Sequence, residues 1–121
     1  MLDCYDMPMD KKTSFILCNE HGEIRALQKN MLIQHGYFHI QETTSSEEAI
    51  SLLKQGTFLL LPIEKLTSEM KDKLKKHHHF IIFTNAESIN HTAVIELGIR
   101  NTISFPYSSE SLIERIKSIL N

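Results

Sequence analysis

The stretch FLLLPIEK, residues 58–65, sets four consecutive apolar residues against a polar segment that begins at Pro62. A short run that is apolar at every position and bounded by polar residues is typical of a β-strand buried on both faces. Two further runs of this kind, Phe15–Cys18 and Phe80–Phe83, predict two more buried strands. Because such strands belong to parallel sheets covered by helices on each side, the three runs indicate an α/β fold.

Two weaker strand patterns complete the predicted sheet. Tyr37–Ile40 follows Gly36, and Thr102–Ser104 follows Gly98 and precedes Pro106. Glycine commonly ends a helix, so each of these runs begins where a helix has just stopped. The sequence therefore predicts five strands.

The segments between and after the strands carry helical patterns. Apolar residues recur at a spacing of three to four, and three of the five segments open with residues that cap helices. The predicted caps are Ser45, in a capping box with Glu48, then Thr67 or Ser68, and finally Ser108 or Ser109. The predicted apolar stripes are Ile24, Leu27, Met31 and Leu32; Ala49, Ile50, Leu52 and Leu53; Ile89, Ala93, Val94 and Leu97; and Leu112, Ile113, Ile116, Ile119 and Leu120.

Five strands that alternate with five helices predict a three-layer α/β sandwich around a five-stranded parallel sheet. A flavodoxin-like strand order fits the length of 121 residues, and the third helix, ending near Lys76, is expected to be short. Residues 1–12 show no periodicity and are expected to form a mobile tail, which leaves residues 13–121 as one domain.

Composition narrows the class of protein. The formal net charge of −2 gives no reason to expect direct binding to nucleic acid. The N-terminus lacks the apolar core of a signal peptide, and no apolar run approaches the roughly 20 residues of a membrane span. Of the two cysteines, Cys18 ends an apolar run and Cys4 lies in the polar tail, so no disulfide framework is expected. These features predict a cytoplasmic protein.

Four stretches, taken in order, resemble the receiver domain of bacterial response regulators. FILCNEHGEIR (15–25) is similar to the opening of that domain, and SSEEAISLL (45–53) to its second helix. FIIFT (80–84) resembles its fourth strand with the terminal threonine, and LGIRNTISFPY (97–107) the region of its fifth strand. The resemblance covers residues 14 to 120 and implies a receiver-like fold and a role in two-component signalling.

The resemblance also implies a phosphoacceptor pocket, and this sequence departs from it. The phosphorylated aspartate falls on Pro62, which has no nucleophilic group, and the two acids that hold Mg²⁺ fall on Asn19 and Glu20. The lysine of the pocket falls on Phe105, whereas the threonine that ends the fourth strand in the family is matched by Thr84. The aromatic switch position falls on Thr102, and the family often has a cis peptide before the proline that matches Pro106. The pocket is therefore interpreted as degenerate, with no metal and no cofactor.

The resemblance places a contact surface on the fourth helix, fifth strand and last helix. In receivers this face commonly mediates dimerisation or effector binding, so a protein partner or a homodimer is expected, without a membrane. The residues assigned to it are Ile89, Val94, Asn101, Ile113 and Lys117. The favoured function is a non-enzymatic, phosphorylation-independent receiver-like module that acts through protein–protein interaction.

Several alternatives stay open at the level of sequence. The same scaffold supports a small ligand-binding or enzymatic domain, and Glu64, two residues after Pro62, is an alternative phosphoacceptor. Phe105 is interpreted either as a plug for the vacated pocket or as an anchor for a partner. His77, His78 and His79 form either a metal-binding tract or, as favoured here, a solvated turn, because neighbours on a strand point to opposite sides.

Overall fold

The computed structural model describes residues 12–85 and 92–121 and contains the five strands in one sheet. Every neighbouring pair is parallel, and the order is β2-β1-β3-β4-β5, the predicted flavodoxin-like arrangement. The strands are β1 Ser14–Cys18, β2 His39–Thr43, β3 Thr57–Pro62, β4 Phe80–Thr84 and β5 Thr102–Ser104. The helices are α1 Gly22–Gln34, α2 Ser46–Leu52, α3 Ser68–His77, α4 Thr92–Leu97 and α5 Ser109–Leu120.

Alternating residues of the central strands build two cores, one on each face of the sheet. Phe15 and Leu17 of β1 pack on the side covered by α1 and α5, and Ile16 and Cys18 pack on the side covered by α2 and α3. Since successive side chains on a strand point to opposite faces, one apolar run supplies both layers. This produces the predicted three-layer sandwich. None of the helices in the described ranges is both long and apolar enough to cross a lipid bilayer.

Strand β2 lies two residues later than the prediction of Tyr37–Ile40. Tyr37 precedes the strand and is fully buried, with its ring 5.1 Å from the ring of Phe15. Its backbone N–H donates to the Leu32 carbonyl at 3.0 Å, which belongs to the turn that ends α1. The strand itself is an exposed edge, so the apolar residues that suggested its position belong largely to the preceding turn.

Helix α1 turns only part of the predicted stripe to the sheet, since Met31 and Leu32 pack in the core. Leu32 is buried as expected, but Ile24 and Leu27 are exposed and Gln28 takes the core-facing position one turn before Leu32. A buried amide needs a hydrogen-bond partner, and Gln28 has one in Tyr107. The apolar stripe of α5, by contrast, is confirmed, since Leu112, Ile113 and Ile116 are buried.

The helix caps resolve the alternatives that the sequence left open. Ser45 accepts from the Glu48 backbone N–H, Thr67 rather than Ser68 caps α3, and Ser108 rather than Ser109 caps α5. Helix α3 has ten residues, which makes it shorter than α1 and α5, with thirteen and twelve, but longer than α2, with seven. Most of the predicted tail, including Cys4, and Ile89 of the stripe predicted for the fourth helix lie outside the described residues, as does the side chain of Ala93.

Candidate functional site

A cleft of about 460 Å³ opens at the carboxyl ends of β1, β3 and β4. In an open parallel sheet this edge is where ligands bind, because the connections diverge there around a switch in strand order. All five residues predicted for the pocket line this cleft. Asn19 and Glu20 follow β1, Pro62 ends β3, Thr84 ends β4, and Phe105 belongs to the segment after β5.

Asn19 and Pro62 give the floor of the cleft no nucleophile. Asn19 is buried, and its Oδ1 accepts from the His21 backbone N–H at 2.8 Å, which fixes the turn from β1 into α1. This is a common use of asparagine at a turn. Pro62 ends β3 and supplies an apolar ring where the resemblance implies the phosphorylated aspartate. Neither side chain can accept a phosphoryl group.

Glu20 is joined to a lysine that the sequence analysis missed. The Lys65 Nζ lies 2.5 Å from Glu20 Oε1, and this contact holds the pKa of Glu20 below its usual value. Lys65 ends a short 3-10 turn, Ile63–Lys65, that folds back from β3 toward the β1–α1 connection. The only signal was its place just after a strand end, since its partner lies 45 residues earlier in the chain.

Thr84, predicted for the pocket, and Thr102, predicted for the switch position, both form hydrogen bonds within the fold. Thr84 is buried, and its Oγ1 lies 3.2 Å from Ser104 Oγ, so the hydroxyls tie the ends of β4 and β5 together. Thr102, at the predicted switch position, is also buried and donates to the Ile99 carbonyl at 2.9 Å.

Phe105 does not plug the cleft. Its side chain is 68% exposed and stands at the rim, edge-to-face with Tyr107 at a centroid distance of 6.1 Å. The Phe105–Pro106 peptide is cis, as predicted. Tyr107 takes the inner position instead: its ring stacks on Phe83 at 5.1 Å, and its hydroxyl accepts from Gln28 Nε2 at 3.2 Å. Burial raises the pKa of Tyr107 above its usual value, and the bond from Gln28 partly opposes that rise.

The predicted contact surface needs a correction. Val94 and Ile113 are buried, because α4 and α5 turn these side chains inward. Asn101 donates from Nδ2 to the carbonyls of His78 and Phe80, so its amide fastens the start of β5 to the start of β4. Lys117 is exposed near the end of α5, and Ile89 lies outside the described residues.

Two isoleucines that were not predicted for the contact surface are exposed. Ile95 on α4 is 71% exposed, and Ile99, in the turn that leads into β5, is 77% exposed. The backbone beneath Ile99 is held by Arg115 of α5, whose Nη1 donates to the carbonyls of Ile99, Arg100 and Thr102. Ile99 therefore lies on an ordered connection.

The histidine tract lies where α3 ends, near the amino-terminal end of β3, and so at the opposite end of the strands from the cleft. His77 is the last residue of α3 and its Nε2 lies 2.7 Å from the Thr57 carbonyl, while His78 adopts a left-handed φ of 69°. Burial is the main reason that the pKa of His79 lies below its usual value. A second hollow of about 680 Å³ lies beside this tract, lined by α3 and the α2–β3 connection, with Lys54, Lys73 and Lys76 among its walls. Within residues 12–85 and 92–121, no three His, Cys, Asp or Glu side chains are grouped to hold a metal ion.

Three solved structures share this fold. Full-length FixJ from B. japonicum matches with a TM-score of 0.72 and 15% identity over 90% of this chain, which spans only 58% of FixJ. A response regulator from Colwellia psychrerythraea gives a TM-score of 0.66 and 15% identity over 88% of this chain and 95% of its own. A CheY-like response regulator receiver domain protein from Methanospirillum hungatei JF-1 gives 0.63 and 20% identity, over 90% of this chain and 98% of its own.

No protein-family model matches this sequence, and no curated protein is similar to it. At identities of 15 to 20%, these structural matches show the fold, which is that of CheY-like receiver domains.

Proposed function

We propose that this chain is a receiver-like signalling module that works without phosphorylation and without enzymatic activity of its own. The observation that carries the proposal is Pro62, which lines the cleft at the end of β3 where the resemblance implies the phosphorylated aspartate. Phe105 stands where the resemblance implies the lysine, and its exposed ring offers no charge to a phosphoryl group. A degenerate pocket on an intact fold leaves the outer surfaces to carry the signal.

Contact with a protein partner, or with a second copy of the chain, is the proposed mode of action. Ile95, on α4, and Ile99, in the turn that leads into β5, are large apolar side chains that are more than two-thirds exposed. Covering them with a partner removes apolar surface from water, which favours association. The connection that carries Ile99 is already ordered by Arg115, so binding there costs less conformational entropy.

The test of phosphorylation independence is a titration of the folded chain followed by two-dimensional amide NMR. Mg²⁺ is added first and then beryllofluoride, which mimics a phosphoryl group on a carboxylate. We expect the amide signals of Asn19, Glu20, Glu64 and Thr84 to stay in place at concentrations that saturate a receiver with an intact aspartate. Saturable shifts at these residues would contradict the proposal.

One observation favours a second candidate, phosphorylation at Glu64. Glu64 lines the cleft beside Lys65, so a cation is available near it that the sequence analysis did not foresee. The charge of Lys65 is already balanced by Glu20, however, so little of it is left to neutralise a phosphoryl group. If beryllofluoride does shift the cleft signals, the Glu64→Gln variant separates this candidate, because the shifts then disappear with the carboxylate.

A further inference from the structure

The cleft has one wall made of accessible aromatic rings on a firm support. Tyr107 is fixed from behind by Phe83, with the ring planes 28° apart, and by the hydrogen bond from Gln28. Phe105 stands edge-to-face against Tyr107, with an angle of 82° between the rings, and remains 68% exposed. Aromatic faces that are held in place attract cations placed over them.

The charges that line the rest of the cleft have a negative balance. Among the described residues, the lining carries the carboxylates of Glu20 and Glu64 and the ammonium of Lys65, together with the imidazole of His21. Two carboxylates against one ammonium leave one negative charge, and Lys65 is already committed to Glu20 at 2.5 Å. The nearby Arg25 guanidinium donates to Glu42 at 3.1 Å and to the Asn19 carbonyl, so it is occupied outside the cleft lining.

An anion entering this cleft would meet an ammonium whose charge is already balanced by Glu20, whereas a cation meets the carboxylate of Glu64 and the aromatic rings. Among biological cations, the guanidinium group suits both walls, because it is planar, stacks on aromatic faces and pairs with carboxylates through parallel hydrogen bonds. An ammonium group is more strongly hydrated and lacks the flat face.

We propose that the cleft is a receptor for an arginine side chain of a protein partner, stacked against Phe105 and Tyr107 and paired with Glu64. This rests on the proposed function, since it gives the partner a chemistry and a point of attachment. In this proposal the cleft binds the cationic side chain of a partner protein, at the place where the resemblance implies an anionic phosphoryl group.

The experiment titrates the folded chain with capped Gly-Arg-Gly and follows amide signals by NMR. The comparison ligand is the same peptide with citrulline, which keeps the shape of arginine but is uncharged. We expect saturable shifts at Glu64, Thr84, Phe105 and Tyr107 with the arginine peptide, and binding at least tenfold weaker with the citrulline peptide. Equal binding of the two peptides, or no saturable shift with arginine, would overturn the proposal.

Variants assign the two walls. Phe105→Ala and Glu64→Gln are each expected to weaken arginine binding about three- to tenfold, as loss of a cation–π contact or of an exposed charge pair does. Phe38→Ala removes another exposed phenylalanine, on the segment before β2, and is expected to leave binding unchanged. If Phe38→Ala weakens binding as much as Phe105→Ala, the site is not the cleft and the proposal fails.

The two proposals fail in different ways. Shifts on adding beryllofluoride contradict phosphorylation independence whatever the arginine peptide does. A chain that is silent to beryllofluoride and also to the arginine peptide contradicts only the arginine receptor. Inorganic phosphate is the third probe: saturable shifts at the same amides with phosphate, stronger than those with arginine, would mean that the cleft prefers an anion, and would overturn the arginine assignment.

Discussion

Gln28 and Tyr107 lie 79 residues apart in the sequence, and a single hydrogen bond joins them across the cleft wall. Gln28 is almost completely buried on α1, and Tyr107 belongs to the connection between β5 and α5. A buried amide that loses its partner carries a desolvation cost, so this contact stabilises the fold as well as the aromatic wall.

The Gln28→Ala variant is expected to lower the free energy of unfolding by about 1–2 kcal/mol, through the lost bond and the space left behind. The pKa of Tyr107 is expected to rise further, because the bond from Gln28 lowers it. Urea denaturation measures the first effect, and ultraviolet titration of the phenol measures the second. Gln34→Ala, at an exposed position near the end of the same helix, is the control and should change stability by less than about 0.5 kcal/mol. Equal losses in the two variants would contradict the assigned role.

Single residues also mark where sequence reasoning about the site succeeded and where it could not. Asn19, Glu20, Pro62 and Thr84 lie at or just after strand ends, and the topology of a parallel sheet brings such positions together. The outward direction of the Phe105 side chain was not predictable, because it depends on Tyr107, whose ring fills the inner position against Phe83. No local sequence pattern shows which of the two rings lies inside.

Lys65 illustrates the same limit for charge. Its ammonium reaches Glu20 only because a turn of three residues reverses the chain after β3. A tight turn of this kind has no strong sequence signature, so the ion pair was not predictable from either partner alone.

At the scale of one helix, Ser108 and Ser109 make a natural comparison. Ser108 Oγ accepts from the Ser111 backbone N–H at 3.0 Å, which satisfies a donor at the start of α5. Ser109 Oγ is buried and has no hydrogen-bond partner among the residues that the structure describes. The two neighbouring hydroxyls therefore have opposite energetic roles.

Ser108→Ala is expected to lower the free energy of unfolding by about 1 kcal/mol, the usual effect of removing an N-cap. Ser109→Ala is expected to leave stability unchanged or to raise it slightly, because it removes an unpaired buried hydroxyl. Paired thermal and urea denaturation of the two variants measures the difference. A larger loss in Ser109→Ala than in Ser108→Ala would reverse the assignment of the cap.

The helices also show why apolar patterns identify an element more readily than its orientation. Val94 and Ile113 belong to apolar stripes, and both were assigned to a contact surface, yet both face the core. A stripe that packs on a sheet and a stripe that meets a partner have the same composition, so only the assembled layers separate them. The bounds of the edge strand β2 were predicted wrongly for a related reason. Most of its residues are exposed, so no continuous apolar run marks where the strand begins and ends.

For the molecule as a whole, the alternation of strands and helices was enough to predict the sheet order and the three layers. Right-handed crossovers and the burial of three central strands leave few arrangements for a chain of this length. The proposed contact surface could not be predicted in the same way, because it depends on which apolar residues remain exposed after the core is complete.

Self-association through Ile95 and Ile99 is testable by sedimentation equilibrium. We expect concentration-dependent dimers in the unmodified chain, and Ile99→Glu to weaken the dimer at least tenfold, because a carboxylate would be buried at the contact. Phe38→Glu changes another exposed apolar residue and serves as the control. A chain that remains monomeric at high concentration, or equal effects of the two variants, would contradict a dimer through this surface.

The two edges of the sheet bear on how this protein behaves when concentrated. An unpaired strand edge invites pairing with another chain and growth into fibrils. One edge, β5, has only three residues, and the other, β2, carries exposed polar groups, including Glu42, which lies 3.1 Å from Arg25 and 3.5 Å from Lys29. A strand added at β2 would have to dehydrate that charge cluster, and one added at β5 would gain few backbone bonds. Aggregation through added β-strands is thus opposed at both edges of the sheet. Any association of this chain is therefore expected to use its helical and loop surfaces.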